Sequence, residues 1–464
     1  MSILNEISPE FFSKMEGLLG HEFQAFRACF EEPPAMGLRF NTLKCEPAKI
    51  LSWLPYALQA VPWCPTGYSF LRQASDNQEM APGKHPLHAA GLYYLQDPSA
   101  MAVAELLNPQ PGEKVLDLAA APGGKSTHLA ALMQNQGLLV ANEIHPQRVW
   151  DLAENLERWG VTCAVITNET PNRLADHLGD LFDRVLIDAP CSGEGMFRKS
   201  AAARREWNPN LPNSCATRQS AILYQAARLV RPGGWLAYTT CTFSPEENEG
   251  VIEQFLQQES QDGGHGFTLV KMERMWPHLG APEGHFLSLL HKKTAENKGK
   301  STAQTDRKIR AGGSRSPQWE SQKQAEQRFR AFCEENLSKQ PEQSQLLLRG
   351  SYLYKTPVDL PSLGELRVIH PGLWLGIQKK GWFEPSHAWA LSLKSEDVRR
   401  RAVLQGEEAL RYLRGESLEN QGENGWTLVT IGAGPEEPFY PMGWGKRIRG
   451  VLKNSYPKGL RIPG

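Results

Sequence analysis

The first 35 residues carry apolar side chains at the spacing of a helix. The apolar positions are Phe11, Phe12, Met15, Leu18, Leu19, Phe23, Phe26 and Phe30. This period predicts an amphipathic helix or a pair of helices that ends at Pro33 and Pro34. Residues 37–43 then alternate apolar and polar, which predicts a strand with Arg39 and Asn41 on one face.

From Gly112 onward, short apolar runs alternate with stretches of helical period. The pattern predicts strands at 114–118, 138–143, 164–166, 184–187 and 235–241 and helices at 127–133, 148–159 and 216–229. A further helix is predicted to begin at Ser244, with Glu247 completing a capping box and Pro245 at the first helical position. Such alternation favours a doubly wound parallel sheet.

The C-terminal third begins with a stretch of different composition. Residues 292–322 are rich in Lys, Ser, Gln, Gly and Thr and poor in large apolar groups, which is typical of a linker or a disordered insertion. Beyond it the pattern predicts a helix near 329–337, strands at 346–348 and 373–377, and a small β-rich unit from 425 that ends in a basic tail.

The composition is that of a globular protein. The chain has 464 residues, 40% of them hydrophobic, and it contains no apolar run of the ~18 residues that a bilayer requires. Its N-terminus has no secretory signal pattern, and its eight cysteines are isolated, without disulfide-framework or paired CxxC spacing. We therefore expect a cytoplasmic protein with no membrane span and no metal site.

Charge is balanced over the whole chain but not along it. Lys plus Arg and Asp plus Glu each number 51, whereas basic residues dominate between 291 and 323 and again after Gly443. Basic runs of this kind are usually solvated surface, but they also let a neutral protein bind phosphates locally. Arg39 and Asn41 are open to the same two interpretations, a solvated strand face or an RNA contact.

The turn after the first core strand differs from the common phosphate-binding loops. A P-loop requires a glycine six residues before Lys125, where this chain has Ala119, and no Gly-x-Gly-x-x-Gly is present. Gly123 and Gly124 allow a ligand to lie against the backbone, and Glu143 ends the next strand, where a carboxylate can bind ribose hydroxyls. An adenosyl group without phosphates fits these features and points to S-adenosylmethionine, with an unspecified nucleotide fold as the alternative.

Two cysteines follow neighbouring core strands, Cys191 in Ala-Pro-Cys-Ser-Gly and Cys241 in Thr-Thr-Cys-Thr. A single cysteine in a turn is usually structural. Two thiols beside an adenosyl site suit methylation of cytosine, because a thiolate that adds to carbon 6 makes carbon 5 nucleophilic toward a sulfonium methyl. Asp188 is then placed to bind the exocyclic amine and ring nitrogen of the base.

Together these motifs resemble the NOL1/NOP2/Sun family of RNA 5-methylcytosine methyltransferases, and in particular its bacterial RsmF branch. The segments that carry the resemblance are 188–199, 120–126, 240–242, 37–44, 94–99, 383–387 and 453–461. They span nearly the whole chain apart from the linker. The core motifs indicate the family, and the terminal ones indicate the branch.

The resemblance implies an α/β fold whose core is a class I, Rossmann-like methyltransferase domain at 91–290. It places a small N-terminal RNA-binding α+β domain at 1–90 and a basic, flexible linker at 291–325. A ferredoxin-like domain is expected at 326–385 and a PUA-like RNA-binding domain at 386–464. The residues themselves indicate only a small α+β unit and a small, basic, β-rich unit after the linker.

The resemblance also assigns roles to individual positions. Cys241 is expected to be the nucleophile, Cys191 the thiol that assists release, and Asp188 the acid that binds cytosine. The expected S-adenosylmethionine site comprises Ala120, Ala121, Pro122, Gly123, Gly124, Lys125, Ser126, Glu143, Arg148, Asn168 and Asp188. The family commonly has an acidic residue near the adenine after the third strand, and here Asn168 and Glu169 both remain candidates for that contact.

The function that follows is methyl transfer to carbon 5 of cytosine in ribosomal RNA, with 16S rRNA or the 30S subunit as partner and a monomeric enzyme. The alternatives are the same chemistry on tRNA, and a non-catalytic RNA-binding factor in ribosome assembly. DNA cytosine methyltransferases place their nucleophile in a Pro-Cys motif, as at Cys191. The RNA-binding-like ends and the Thr-Cys motif favour an RNA substrate.

Overall fold

The computed structural model describes residues 3–71, 80–261, 266–294, 321–339, 345–358, 360–432 and 438–463. Most of the predicted linker at 291–325 lies outside the described residues, because 295–320 are not among them. Of its two described ends, residues 291–292 close a strand and residues 322–325 open a helix.

The N-terminal unit is a helix pair followed by a small sheet. Its elements are α1 Pro9–Leu19, α2 Phe23–Ala28, β1 Gly37–Phe40, α3 Pro47–Leu51, β2 Leu58–Ala60, β3 Gly67–Phe70, α4 Pro86–Ala89 and β4 Tyr93–Leu95. The predicted helix pair is confirmed: Ser8 caps α1, and Gly20 ends it with a φ of 56°. Phe11, Phe26 and their neighbours pack against Phe197, Trp207 and Phe243 of the core.

The strand predicted at 37–43 is present as β1, but neither interpretation of its polar residues is correct. The Arg39 side chain is fully buried and donates hydrogen bonds to the Gly124 carbonyl at 3.0 Å and the Thr127 hydroxyl at 2.8 Å. Asn41 is also buried and donates to the carbonyls of Gly91 and Trp159. Both side chains hold the N-terminal unit onto the core, because β1 is covered by the core on the face that the sequence suggested was open.

The core is a twisted sheet with helices on both faces. Its elements are α5 Pro98–Leu107, β5 Lys114–Asp117, α6 Gly124–Leu132, β6 Leu138–Asn142, α7 Arg148–Trp159, β7 Ala164–Thr167, α8 Pro171–Leu178, β8 Phe182–Asp188, α9 Ala201–Glu206, α10 Leu211–Leu229, β9 Val230–Thr240, α11 Glu249–Gln261, β10 Phe267–Met275 and β11 His285–Lys292. The strand order is β10-β11-β9-β8-β5-β6-β7, continued by one strand from the C-terminal region.

Strands β5 to β9 are parallel, as predicted, and β10 and β11 form an antiparallel edge. The order changes direction at β5, so the carboxyl ends of β5, β6 and β8 border the crevice where ligands bind in such sheets. The doubly wound fold is confirmed. One local prediction is wrong, since α11 begins at Glu249 and not at Ser244, and residues 245–248 form turns.

The C-terminal region contains two further sheets. Its elements are α12 Gln322–Asn336, β12 Leu346–Arg349, β13 Tyr352–Lys355, β14 Val368–His370, β15 Leu373–Lys379, β16 Trp382–Pro385, α13 His387–Ser392, β17 Arg401–Leu404, α14 Gly406–Arg414, β18 Leu418–Glu419, β19 Gly425–Ile431, β20 Tyr440–Ile448 and β21 Val451–Asn454. The sheet orders are β12-β13-β15-β16 and β17-β19-β20-β21-β18.

The first C-terminal sheet confirms the predicted α+β character but is a meander. Its strands follow chain order and are all antiparallel, unlike the interleaved order of a ferredoxin-like sheet. The segment between β13 and β15 leaves this sheet altogether. It forms β14, which pairs antiparallel with β7 and extends the core sheet at that edge.

The last sheet packs against the N-terminal unit across the molecule. Leu38 and Phe40 of β1 share one apolar cluster with Tyr440 and Met442 of β20. Within the predicted basic tail, Arg447 is buried and bonded to Asn420, so part of that charge is structural. Among the described residues, no helix combines the length and the apolar character needed to cross a membrane.

Candidate active site

The two cysteines lie side by side where β8 and β9 end. Cys191 follows β8 by three residues and Cys241 follows β9 directly, and their Sγ atoms are 3.4 Å apart. Both residues are partly exposed. The pKa of the Cys191 thiol is raised well above its usual range, first by its hydrogen bond with Cys241 and then by burial and nearby negative charge. Cys191 is therefore a neutral thiol beside Cys241.

A lysine and a carboxylate face the same point. Lys125 Nζ lies 2.6 Å from Asp188 Oδ2, and the two groups form an ion pair whose Asp188 side is one-third exposed. Burial alone would lower the pKa of Lys125, but the charges of Asp188, Asp117 and Cys241 raise it above the usual value. This pair joins the small-residue turn to the end of β8, three residues before Cys191.

The small-residue turn from 119 to 126 closes tightly over β5. It includes a cis peptide bond between Ala121 and Pro122, and Gly123 adopts a φ of 114° that favours glycine. A Cβ on Gly124 would lie 3.2 Å from a Tyr94 ring carbon, so there is little room for a larger residue. The turn therefore consists of small side chains apart from Lys125, whose ammonium group meets Asp188.

Asp117 lies beneath this turn with one oxygen unpaired. Its Oδ2 accepts a 2.6 Å hydrogen bond from the Ser126 hydroxyl, whereas its Oδ1 is buried and has no partner among the described residues. Burial raises the pKa of Asp117 to about 7. A buried acceptor without a donor is costly, so a ligand that supplies an N–H group here would be favoured.

Glu143 closes β6 next to the turn, as the sequence predicts. Its side chain is buried, and its Oε1 accepts the His145 backbone N–H at 2.8 Å. Arg148 lies 3.7 Å from Glu143 Oε2 and donates to the Ala121 carbonyl at 2.7 Å. Arg148 thus links the small-residue turn to the carboxylate that is expected to bind a ribose.

The two candidates for the adenine contact have different surroundings. The Asn168 amide donates to the carbonyls of Glu143 and Ile144 at 2.6 and 2.9 Å. Glu169 pairs with Arg173 at 2.9 Å and accepts the Arg367 backbone N–H at 2.7 Å. The carboxylate of Glu169 is therefore occupied by the segment that leads into β14, whereas the side chain of Asn168 is bonded to the residues that follow β6.

The structure thus brings the predicted site residues together at the carboxyl ends of the parallel strands. It also adds residues that the sequence analysis missed. Glu194 and Glu247 are fully buried behind the cysteines and bond to the residues that follow them. Glu247 was interpreted from the sequence as a helix cap. The signal that could have revealed both roles is a glutamate shortly after each cysteine, three residues after Cys191 and six residues after Cys241.

Comparison with protein families matches four successive parts of the chain. Residues 104–291 match the model of the 16S rRNA methyltransferase RsmB/F, and residues 7–98 match the N-terminal domain of 16S rRNA methyltransferase RsmF. Residues 331–393 match the first C-terminal domain of the RsmF rRNA methyltransferase, and 401–462 match the methyltransferase RsmF PUA domain.

Whole proteins and solved structures agree with these matches. Ribosomal RNA small subunit methyltransferase F of Erwinia tasmaniensis is 30% identical, with 97% of this chain and 96% of that protein covered. The protein of the same name from Vibrio vulnificus is 32% identical over 94% of this chain and 93% of its own length. A methyltransferase homologue from Pyrococcus horikoshii is 27% identical with a TM-score of 0.54, covering 63% of this chain and 99% of its own. The chain therefore belongs to the 16S rRNA methyltransferase RsmB/F family, and it is an rRNA methyltransferase.

Proposed function

We propose that this enzyme transfers the methyl group of S-adenosylmethionine to carbon 5 of a cytosine in 16S rRNA, with Cys241 as the nucleophile. The observation that carries the proposal is the 3.4 Å contact of the Cys191 and Cys241 sulfurs beside the Lys125–Asp188 pair. Thiol-assisted methylation of cytosine needs a nucleophilic thiol with a base-binding acid nearby, and a second thiol can assist release.

In the first step the Cys241 thiolate adds to carbon 6 of the cytosine ring. The electrons of the C5–C6 double bond move to carbon 5, which would then take the methyl group that a bound S-adenosylmethionine supplies, with the electrons of the methyl–sulfur bond remaining on the donor's sulfur. Asp188 binds the base edge, and Lys125 holds that carboxylate in place through their 2.6 Å contact. The target base has to leave its stack to reach Cys241.

Release reverses the addition. The proton on carbon 5 passes to a base, its bonding electrons restore the C5–C6 double bond, and the bond between carbon 6 and Cys241 breaks with its electrons on sulfur. Cys191, a neutral thiol with its sulfur 3.4 Å away, can donate a hydrogen bond to that departing thiolate. The two thiols therefore have distinct tasks, addition for Cys241 and release for Cys191.

The cofactor cleft fits an adenosyl ligand that carries an amino group. S-adenosylmethionine would supply the electrophilic methyl group, the turn Ala120 to Ser126 would contact it through backbone, and Glu143 would bind the ribose. The unpaired Asp117 Oδ1 can accept a hydrogen bond from the ligand's amino group. Arg148 positions Glu143, and Asn168, which bonds to the Glu143 carbonyl, would contact the adenine.

The test is methyl transfer from labelled S-adenosylmethionine to purified 16S rRNA and to 30S subunits, with tRNA as the comparison substrate. We expect no transfer by Cys241→Ala. We expect Cys191→Ala to accumulate a covalent protein–RNA adduct because release stalls. An adduct with Cys241→Ala, or full turnover by that variant, would contradict the assignment, and preferred methylation of tRNA would replace the proposed substrate.

A further inference from the structure

Two carboxylates lie buried behind the cysteines, outside the crevice where substrates bind. Glu194 and Glu247 are both fully inaccessible to solvent. Glu247 lies in the turn that precedes α11, and its side chain extends toward the loop after β8 rather than capping the helix. A buried carboxylate is costly unless donors surround it, so its partners show what it holds.

Glu247 receives hydrogen bonds from both cysteine loops. Its Oε2 accepts the Ser192 backbone N–H at 2.9 Å and the Gln219 amide at 2.8 Å. Its Oε1 accepts the Ser192 hydroxyl and lies 3.3 Å from the oxygen of the Thr242 hydroxyl, whose single hydrogen it shares with Glu194. Ser192 directly follows Cys191, and Thr242 directly follows Cys241.

Glu194 accepts hydrogen bonds from the loop that follows Cys241. It accepts hydrogen bonds from the Thr242 hydroxyl at 2.9 Å, the Phe243 backbone N–H at 3.0 Å and the Ser244 hydroxyl at 2.7 Å. The Trp207 indole N–H donates to it at 2.9 Å. Thr242 is therefore held between the two carboxylates.

The loop that contains Cys191 and the loop that contains Cys241 also contact each other directly. The hydroxyl oxygens of Ser192 and Thr242 are 2.7 Å apart, and the Gly195 N–H donates to the Cys241 carbonyl at 2.8 Å. A Cβ on Gly195 would lie only 2.9 Å from that carbonyl oxygen, so the backbones are as close as a glycine allows. The residue after each cysteine is thus fixed relative to the other.

We propose that Glu247, supported by Glu194, is a positioning residue that sets the separation of the Cys191 and Cys241 sulfurs by hydrogen-bonding the residues that follow them. What the two sulfurs do at that separation rests on the proposed function. Addition by one thiol and release assisted by the other both need the sulfurs close to carbon 6 of one base. A displacement of about 1 Å in such a group can cost about 100-fold in rate.

Glu247 contributes to the charge around Cys191 as well as to its position. Its negative charge adds to the Cys241 hydrogen bond, the burial and the Cys241 charge that raise the pKa of Cys191. A glutamine at 247 tests the two contributions separately. Its carbonyl can accept from Ser192 and Gln219, and its amide can donate to the two hydroxyls, so the bonds remain while the charge is lost.

The separation of the sulfurs can be measured without any RNA. Diamide converts two neighbouring thiols into a disulfide and takes up their two hydrogens on its nitrogen–nitrogen double bond. We expect wild type and Glu247→Gln to form the Cys191–Cys241 disulfide at rates within about threefold of each other, and Glu247→Ala to form it at least tenfold more slowly. Peptide mass spectrometry identifies the bond, and Glu246→Gln, altered at a partly exposed neighbour paired with Lys14, is the matched control.

Thr242→Val provides a second variant should Glu247→Ala not fold, which thermal melting reveals. It keeps the side-chain shape, removes the hydroxyl held by both carboxylates, and should slow the disulfide about fivefold. Wild-type disulfide rates in Glu247→Ala and Thr242→Val would overturn the inference. Equal slowing by glutamine and alanine would also overturn it, because charge rather than hydrogen bonding would then govern the spacing.

Methyl transfer is the second readout and tests the proposed function separately. We expect Glu247→Ala to lower kcat about 100-fold with unchanged KM values for methyl donor and RNA, and Glu247→Gln to retain kcat within about tenfold. If wild type itself transfers no methyl group while the disulfide rates differ as expected, the proposed function fails and the positioning role stands. A kcat for Glu247→Ala equal to that of wild type contradicts the positioning role.

Discussion

The two sides of the cleft are built in different ways. On the cofactor side, the ends of β5 and β6 offer a contiguous small-residue turn whose contacts are mostly to backbone, as where Asn155 donates to the Pro122 carbonyl at 2.7 Å. On the reaction side, the ends of β8 and β9 hold side chains from distant segments around two buried carboxylates. A backbone cradle, as we call the small-residue turn, tolerates the loss of one side chain better than a network of side-chain hydrogen bonds does. Fewer of its bonds depend on any single side chain.

The largest effect is expected from a substitution at the point where the two sides of the cleft meet. Lys125→Met removes the cation 2.6 Å from Asp188, so the carboxylate that we propose binds the base loses the group that holds it in place. We expect kcat to fall about 100-fold while the KM for the methyl donor changes less than threefold. Lys271→Met, altered in an exposed ion pair on β10, is the control. A rise in KM alone would assign Lys125 to the cofactor side.

A substitution on the cofactor side should change the affinity for S-adenosylmethionine rather than the turnover rate. Glu143→Ala removes the carboxylate expected to bind the ribose hydroxyls, a charged hydrogen bond worth about 1.5–3 kcal/mol. We expect the Kd for S-adenosylmethionine, measured by calorimetry, to rise about 10- to 100-fold. Glu253→Ala, at an exposed position of α11, should bind normally. Unchanged affinity in Glu143→Ala would place the ribose elsewhere.

The backbone cradle itself can be strained by a single methyl group. Gly123 has a φ of 114°, and an added Cβ would lie 3.3 Å from the Asn155 Cβ. Gly123→Ala should therefore destabilise the protein by about 1–2 kcal/mol and weaken cofactor binding. Gly17→Ala, in α1 with no atom within 4 Å of the added Cβ, should not lower the melting temperature. Equal behaviour of the two variants would show that the turn relaxes freely.

The smallest expected effect is a pH dependence from the buried acid under the cradle. The pKa of Asp117 is raised by burial from 3.8 to about 7, so folding favours its protonated form. That contribution is present at low pH and is lost as pH rises from about 4 through 7. Without cofactor, the melting temperature of Asp117→Asn relative to wild type should therefore rise between pH 5 and 8. A constant difference would show that Asp117 does not titrate in this range.

Local signals predicted much of the fold and of the cofactor side. The core strands are short, apolar and buried on both faces, so their sequences alone indicate a parallel sheet. The turn at 120–126 and the strand-ending Glu143 are recognisable because the residues that matter are contiguous or separated by one strand and helix. The cysteine motifs were recognisable for the same reason.

Errors arose where long-range packing overrides a local preference. Arg39 on a short strand was expected at the surface, yet the core offers it three acceptors and the ring of Trp159 at 4.6 Å, which make its burial possible. Ser244 and Glu247 have the spacing of a capping box, but Ser192 and Gln219 compete for the carboxylate and the helix begins later. The departure of β14 from its own sheet to pair with β7 likewise has no local signature.

The sequence by itself therefore determined the class of the fold and singled out the small-residue turn at 120–126 and the two cysteine motifs, because each of these features depends on residues that are close together in the chain. Only the tertiary structure decided that the sulfurs lie 3.4 Å apart, that Lys125 meets Asp188, and that Glu247 serves the cysteine loops. These contacts join residues about 50 or more positions apart, and their energies depend on burial and on competing partners that exist only in the folded chain.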